Sequence, residues 1–464
     1  MSRKNNFLKY HELRKDFPVF IYDDFSCSFE GDSLEITFSF SLPGKHHFRP
    51  FIKIPYKKEI FRSYDSLSRE ALANLIFHIG MIEMISYWKA ACPPRVIIRP
   101  RKLGADALAF WKKIYFHGLG EFFYLNSIPA DEEDFMELEC QSDQPVQAFA
   151  AALENSSLVP VGGGKDSALT MGMLSESGFD WFPMMINPSG TGRAVIGAAG
   201  KAEVETIDIF RSIDPHLLEM NEAGFLNGHT PFSALLAFYS LLAAYLSGRS
   251  DIILSNESSA NEATVPGTSI NHQYSKTLEF ETDFRKYTER FISKEFNYFS
   301  LLRPLSELQI ACLFAKMKPF HALFRSCNVG SKNGTWCGHC PKCLFTFIIL
   351  SPFLDPGELI AIFGRNLLDD PSLENILQEL TGKAAIKPFE CIGTVDEVNL
   401  ALQLSKAKYR DEEMPYLLDL HSRLTAGFNA PVSRGELLSI TDSHHCVSER
   451  YLDIIKRHIH DQPA

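Results

Sequence analysis

The 464-residue chain has no stripe of lysine and arginine along which a nucleic-acid backbone could run, and its formal net charge is −11. Both features argue against a nucleic-acid partner, though not against a small anion held in a local basic pocket. No apolar run is long enough for a bilayer. The longest, Phe232 to Leu246, falls short of the roughly 20 residues that a span needs. A buried helix is expected there instead, and no membrane association. No apolar core follows the basic residues at the amino terminus, so no signal peptide is expected. Internal repeats and low-complexity tracts are missing too. The ten cysteines are not spread as a disulfide framework, because four of them crowd between residues 327 and 343. That clustering points to metal and to a cytoplasmic setting. What is present, 45% hydrophobic and 22% charged residues, suits a globular protein of two or three domains.

Two familiar phosphate-loop spacings are also absent: Gly-x-x-x-x-Gly-Lys-Ser/Thr, and Gly-x-Gly-x-x-Gly. In their place an apolar run ending at Val161 meets Gly162-Gly163-Gly164-Lys165-Asp166-Ser167, and a helical pattern follows from Ala168. A strand that ends in a glycine turn and opens a helix aims backbone N–H groups and the positive helix end at one point. Only residues without Cβ let that backbone approach an oxyanion closely. The stretch therefore reads as a phosphate cradle.

Residues 17 to 56 alternate in strand fashion, with Glu30-Gly31-Asp32 as a turn. Helical patterns over 66–91 and 104–118 flank a strand at Arg95–Ile98, and Asp131–Asp134 reads as an exposed linker. Together these predict an N-terminal α+β domain, residues 1–148. Residues 149–326 then alternate strand and helix. Strands end at the glycine loop, at Asn187–Gly190, at Ser255-Asn256-Glu257 and at Arg303. Such alternation predicts a doubly wound parallel sheet of the α/β class, with ligands at the carboxyl ends of the strands. Residues 255–290 read as one long polar insertion. Residues 327–464 read as a helical C-terminal region carrying a metal site.

Cys337-Gly338-His339-Cys340-Pro341-Lys342-Cys343 contains two successive Cys-x-x-Cys steps, and Cys327 lies ten residues upstream. Four thiolates at this spacing suit tetrahedral zinc; an iron–sulfur cluster uses the same ligands. Cys27, Cys92, Cys140, Cys312 and Cys446 are expected as buried thiols. Candidate proton-transfer residues are His272 and Lys276 in the polar insertion, and Cys391 in Lys387–Thr394. His272 is favoured because imidazole titrates near neutrality; a hydrogen bond to substrate or nucleotide is its rival role.

The glycine loop resembles that of the ATP pyrophosphatase (adenine nucleotide alpha hydrolase-like, or HUP-like) superfamily, Ser-Gly-Gly-x-Asp-Ser, with Gly162 in place of the leading Ser. The resemblance implies cleavage of ATP between the α- and β-phosphates. Arg303-Pro304-Leu305-Ser306-Glu307, Ser326-Cys327 and the cysteine cluster resemble the 7-cyano-7-deazaguanine synthase branch. Glu307 stands where a Lys is usual there, so Arg303 or Lys316 is expected to supply the missing phosphate contact. Over its whole length the chain resembles the UDP-N-acetylmuramoyl-L-alanyl-L-glutamate epimerase family. That resemblance rests on Ile85–Ala91, Gly118-Leu119-Gly120-Glu121-Phe122, Ser255–Glu262, Asn271–Lys276 and Lys387–Thr394. It implies an isomerase of peptidoglycan-precursor synthesis acting on a UDP-muramoyl-dipeptide. ATP and Mg²⁺ would be held by Gly162–Ser167, Asn256, Glu257 and Arg303, and zinc by the four cysteines. The alternatives are nucleobase or tRNA modification, or amide formation, on the same loop.

Overall fold

A computed structural model describes residues 3–330, 333–409, 413–425 and 442–460. Eleven strands among them form one sheet. In chain order these are β1 (Val19–Glu30), β2 (Ser33–Leu42), β3 (His46–Phe48), β4 (Phe51–Pro55), β5 (Arg95–Ile98), β6 (Glu137–Cys140), β7 (Glu154–Pro160), β8 (Trp181–Ile186), β9 (Ile207–Ser212), β10 (Arg249–Leu254) and β11 (Asn297–Ser300). Across the sheet the order is β11-β10-β7-β8-β9-β4-β2-β1-β5-β6, with β3 added beside β2. Neighbours from β11 to β9 run parallel. The β1–β2 pair is an antiparallel hairpin whose turn needs Gly31 at φ +56°.

The sheet is mixed and continuous across the expected boundary at 148/149. Strand β4 pairs antiparallel with β9 through Phe51–Ser212 and Lys53–Phe210. No periodicity in either segment announces this long-range pairing. A salt bridge close by reinforces the junction: Arg211 binds both oxygens of buried Glu83 at 2.5 and 2.7 Å.

The parallel strands alternate strictly between two cores. Leu158, Met184, Ile252 and Tyr298 face one, which they share with the N-terminal half and the helices Arg69–Trp88 and Phe232–Ser247. Val159, Met185, Ile253 and Phe299 face the other, with helices Lys165–Glu176, Glu307–Phe314 and Pro341–Leu350. Burial on both faces explains why these strands read as unbroken apolar runs. Within the parallel half the order reverses at β7, so the mouth at the end of β7 opens between β8 and β10.

Three expectations are corrected. Among the described residues one helix, Arg69–Trp88, is long and apolar enough to cross a membrane by length and composition, and 94% of its apolar window lies inside the protein. The polar insertion is shorter than expected, since Leu278–Phe291 is a helix that buries Phe280, Phe284 and Tyr287 on one stripe. Of the five isolated cysteines only Cys92 and Cys312 are buried; Cys27 lies on the outer half of β1, where the strand runs out of the core. The C-terminal region is helical over Pro356–Phe363, Glu374–Leu380, Val395–Lys406, Tyr416–Leu424 and Glu449–His460, with parts of the expected stretch outside the described residues.

Candidate functional site

The glycine loop joins β7 to the Lys165–Glu176 helix. Gly164 caps that helix without a side-chain hydrogen bond, which leaves the first-turn N–H groups free for an anion. Gly163 has φ +85°, and a Cβ there would meet Thr191 Cγ2 at 3.0 Å and Gly192 N at 3.1 Å. At Gly162 a Cβ would meet nothing within 4 Å, so the serine usual in the superfamily's loop would fit.

The loop faces a cavity of about 270 Å³. Gly162, Gly164, Asp166 and Ser167 line it from the loop, Ser255 and Asn256 from the end of β10, and Lys276 from the polar insertion. Arg325, Ser326 and Lys342 close the far side. Three cations thus surround a mouth with free N–H groups, the electrostatics that an oligophosphate requires. Asn187–Gly190 does not line it. Neither does Lys316, which is exposed, nor Arg303, which is fully buried. Arg303 instead donates to the Glu257 carbonyl at 2.6 Å and the Lys276 carbonyl at 2.5 Å, and pairs with Glu281 at 3.1 Å. It locks the backbone of two site residues from behind.

Lys165 points away from the mouth, and its ammonium lies 2.5 Å from both Asp166 and Glu307. Burial alone would release its proton, but these two carboxylates hold its pKa above the usual lysine value. Burial pushes the Glu307 carboxyl above its ordinary range against the pull of Lys165, with Asp166, Glu257 and Glu397 adding to the rise. Asp166, Glu257 and Glu307 bring carboxylate oxygens within 4.8 Å of one another, close enough to hold a hard divalent cation. Glu307, which departs from the Lys usual in the synthase branch, is thus the partner of the loop lysine.

Beside the cavity the structure gathers all three candidate proton-transfer residues. Cys391 is hydrogen-bonded by both His272 and Lys276. His272 Nδ1 lies 2.5 Å from Glu121 Oε2, and His229 Nδ1 lies 3.3 Å from that same oxygen. The two imidazole rings stand 4.6 Å apart. Burial disfavours a charged His272, yet Cys391 and Glu121 reverse this and raise its pKa to about 9. Burial, aided by His272, lowers His229 to about 4, which leaves it neutral. Burial should also keep the Cys391 proton on, but Lys276, Lys342 and His272 outweigh it and hold the thiol well below its ordinary pKa. Lys276 and His272 thus flank Cys391 and favour its thiolate form over the burial that opposes it.

Local bonds fix the segments. Thr264 Oγ1 accepts from the His272 N–H at 3.0 Å, and Asn271 Oδ1 accepts from the Gln273 N–H at 2.7 Å. Gln273 reaches the Ile392 carbonyl at 3.3 Å, and Lys387 pairs with Glu262, so Lys387–Thr394 is stitched to the insertion. Thr394 then caps the next helix through a capping box with Glu397, whose carboxylate also accepts from the Glu307 N–H at 2.7 Å. Lys89 holds the His229 loop through Thr230 at 2.5 Å.

The four clustered cysteines converge: Sγ–Sγ distances are 3.9 Å for Cys327–Cys340, 3.7 Å for Cys337–Cys343 and 3.5 Å for Cys340–Cys343. A tetrahedral zinc site with bonds near 2.3 Å separates its sulfurs by about 3.8 Å, so the cluster fits zinc as it stands. The Gly330 N–H donates to Cys327 Sγ at 3.1 Å. The site also braces the cavity, since the Arg325 N–H donates to the Gly163 carbonyl at 2.9 Å two residues before Cys327.

Sequence reading missed Glu121, His229, Arg325 and Lys342 as site residues. Glu121 and Lys342 lie inside stretches already singled out, but no spacing rule links them to His272 or Cys391. Nothing around His229 marks it.

An anion cradle with a thiol–imidazole–carboxylate group at its side defines an α/β protein equipped to bind phosphate and to move protons next to it. Comparison with known proteins makes this specific. Residues 11–301 match the MurL N-terminal domain, and residues 322–431 match the MurL C-terminal domain. The chain is similar to the UDP-N-acetyl-alpha-D-muramoyl-L-alanyl-L-glutamate epimerase of Xanthomonas oryzae pv. oryzae, with 37% identity over 72% of this chain and 75% of that protein. Proteins of the same name from a Micromonospora species and from Salinispora tropica are each 35% identical, over 80% and 82% of this chain and 83% of each relative. The chain belongs to the UDP-N-acetylmuramoyl-L-alanyl-L-glutamate epimerase (MurL) family.

Proposed function

We propose that this chain is an ATP-dependent epimerase that converts the terminal L-glutamate of UDP-N-acetylmuramoyl-L-alanyl-L-glutamate to D-glutamate in cytoplasmic peptidoglycan-precursor synthesis. The supporting observation is that one residue, Lys276, both lines the glycine-loop cavity and hydrogen-bonds Cys391. Phosphate binding and proton transfer would then meet at a single substrate carboxylate.

The chemistry requires that meeting. The Cα–H of a carboxylate hardly ionises, because its conjugate base would be a dianion. Converting the carboxylate to a mixed anhydride with AMP removes that charge and makes the proton removable. ATP would lie with its β- and γ-phosphates on Gly162–Ser167, and Lys276, Arg325 and Lys342 would offset the charge that builds on the diphosphate. Asp166, Glu257 and Glu307 would hold Mg²⁺, which supplies charge neutralisation to the phosphates. His272 and Lys276, grouped around Cys391, would exchange the Cα proton and steady the enolate. Water would release D-glutamate at the chain end, with AMP and diphosphate as products.

On this reading residues 149–326 form an ATP pyrophosphatase unit of the wound α/β type, supported by the order reversal at β7. Residues 1–148 contribute Glu121, and residues 327–464 contribute the cysteine site and Cys391. The test is an assay with ATP and the muramoyl-dipeptide precursor, followed by chiral analysis of the glutamate. The proposal expects precursor-dependent diphosphate and D-glutamate in the product. Diphosphate release without precursor, or L-glutamate alone after complete ATP consumption, contradicts it.

A further inference from the structure

We propose that Cys391 carries the activated glutamyl group as a thioester, and that the Cα proton moves in this acyl-enzyme rather than in the adenylate. The proposal rests on the adenylation reading above and assigns Cys391 a role that the epimerase name does not contain.

The geometry is that of an acyl-transfer nucleophile. Such sites need a nucleophile bonded to an imidazole and a third group that orients the ring. Here Cys391 is bonded to His272, and Glu121 holds His272 Nδ1 at 2.5 Å. The two ammonium groups whose charges bear on Cys391, those of Lys276 and Lys342, both line the cavity where the glycine loop would present an activated carboxyl. The thiol is half-buried, neither sealed in the core nor open to bulk solvent.

A thiolate held by three cations is also a poor choice of base for a carbon acid. Lowering its pKa costs it basicity in full, whereas its nucleophilicity falls only with a Brønsted slope of about 0.4–0.5. The environment therefore sacrifices what a base needs and keeps most of what a nucleophile needs. The arrangement of Cys391, His272 and Glu121 carries the assignment, and the depressed Cys391 pKa supports it.

The step balances without any oxidant or reductant. The thiolate sulfur attacks the acyl carbon, a C–S bond forms, and the C–O bond to phosphorus-bound oxygen breaks with its electron pair leaving on AMP. Sulfur donates less electron density to a carbonyl than oxygen does, so the thioester keeps its Cα–H acidic after AMP has gone. Consumption of the thiolate removes one of the two anions that hold the His272 proton, leaving Glu121 alone. His272 then loses that proton to solvent and takes the Cα proton. Lys276 returns a proton to the opposite face and is recharged from solvent. Water finally attacks the thioester: a C–O bond forms, the C–S bond breaks with its electron pair returning to sulfur, and the two protons of the water pass to solvent.

The deciding experiment measures AMP and diphosphate separately in a single turnover with precursor and ATP. The Cys391→Ala enzyme is expected to release about one diphosphate per chain but little free AMP, because the acyl-adenylate has no thiolate to receive it. Cys391→Ser serves the same purpose should the alanine protein be unstable, since an un-ionised hydroxyl transfers far more slowly. In His272→Ala protein Lys276 and Lys342 still favour the Cys391 thiolate, so the acid-quenched variant is expected to carry the mass of the precursor acyl group on Cys391, removable by neutral hydroxylamine. Equal AMP and diphosphate from the Cys391 variants overturns the thioester, as does the absence of the adduct in His272→Ala protein that has released diphosphate. No diphosphate from the wild-type enzyme is a different failure, that of adenylation itself.

Discussion

The two halves of the site are built in opposite ways. The phosphate cradle is six consecutive residues in one strand–turn–helix, and its shape is set by Gly163 at φ +85° and by the free first turn of the helix behind it. The thiol–imidazole–carboxylate group has one residue from each of three segments; Glu121 and His272 alone are 151 positions apart. A local device tolerates little change inside itself and depends weakly on the rest of the fold. An assembled device survives single conservative changes in its supports but needs every segment to be docked. The predicted consequences of mutation differ accordingly.

The largest effect is expected inside the cradle. Gly163→Val puts a branched side chain at positive φ and 3.0 Å from Thr191, and should lower precursor-dependent diphosphate formation by at least about 10²-fold, the scale for losing an aligned oxyanion donor. Gly162→Ser, next door in open space, should leave the rate within about twofold, since exposed changes away from contacts are nearly neutral. Comparable losses in both would break the claim that Gly163 is sterically bound and Gly162 is not.

Next in size is the cysteine site, which braces the cradle from outside. About one zinc per chain is expected in protein purified without added metal, with Cys343→Ser losing the metal and melting at lower temperature. An iron signal would reassign the site to a cluster, and a metal-free wild type would remove it.

Changes in the assembled half should be graded. Glu121→Gln keeps the shape but takes the charge from His272, and should cut kcat by about 10- to 100-fold, within the range for general acid–base contributions, with KM little altered. It should also move the alkaline fall in activity below its wild-type position. In the wild type the imidazolium that faces Cys391 is lost as pH rises through about 9, so activity should decline across that range. Stability follows the same sign. Between the ordinary imidazole pKa of about 6.5 and the folded value, the native state binds the extra proton, so this contribution is complete below the former and vanishes as pH rises through the latter. A flat rate profile from pH 7 to 10, or an unshifted limb in Glu121→Gln, would detach Glu121 from the site.

What could be read in the sequence follows the same division. The cradle and the cysteine cluster were legible because contiguous spacing defines both. The parallel strands were legible because burial on two faces leaves unbroken apolar runs such as Ile252–Leu254. The stripe Phe280, Phe284, Tyr287 was present but hidden in a segment whose first half is polar. The β4–β9 pairing, the partnership of Lys165 with Glu307, and the placing of Glu121 and His229 around His272 are tertiary facts. Glu307 was visible only as a departure from a familiar pattern, and its meaning needed the 2.5 Å contact. Arg303 was placed correctly in the chain, but burial turned it into a clamp on the Glu257 and Lys276 backbones.

The claim that the two halves do separable work is tested most directly by the His272→Ala enzyme in D₂O, with diphosphate release and glutamate Cα deuteration followed in one reaction. The account predicts that the first turnover still releases diphosphate at a rate near that of the wild type while deuterium no longer enters Cα. Loss of both activities together, or deuteration that continues undiminished, would contradict it.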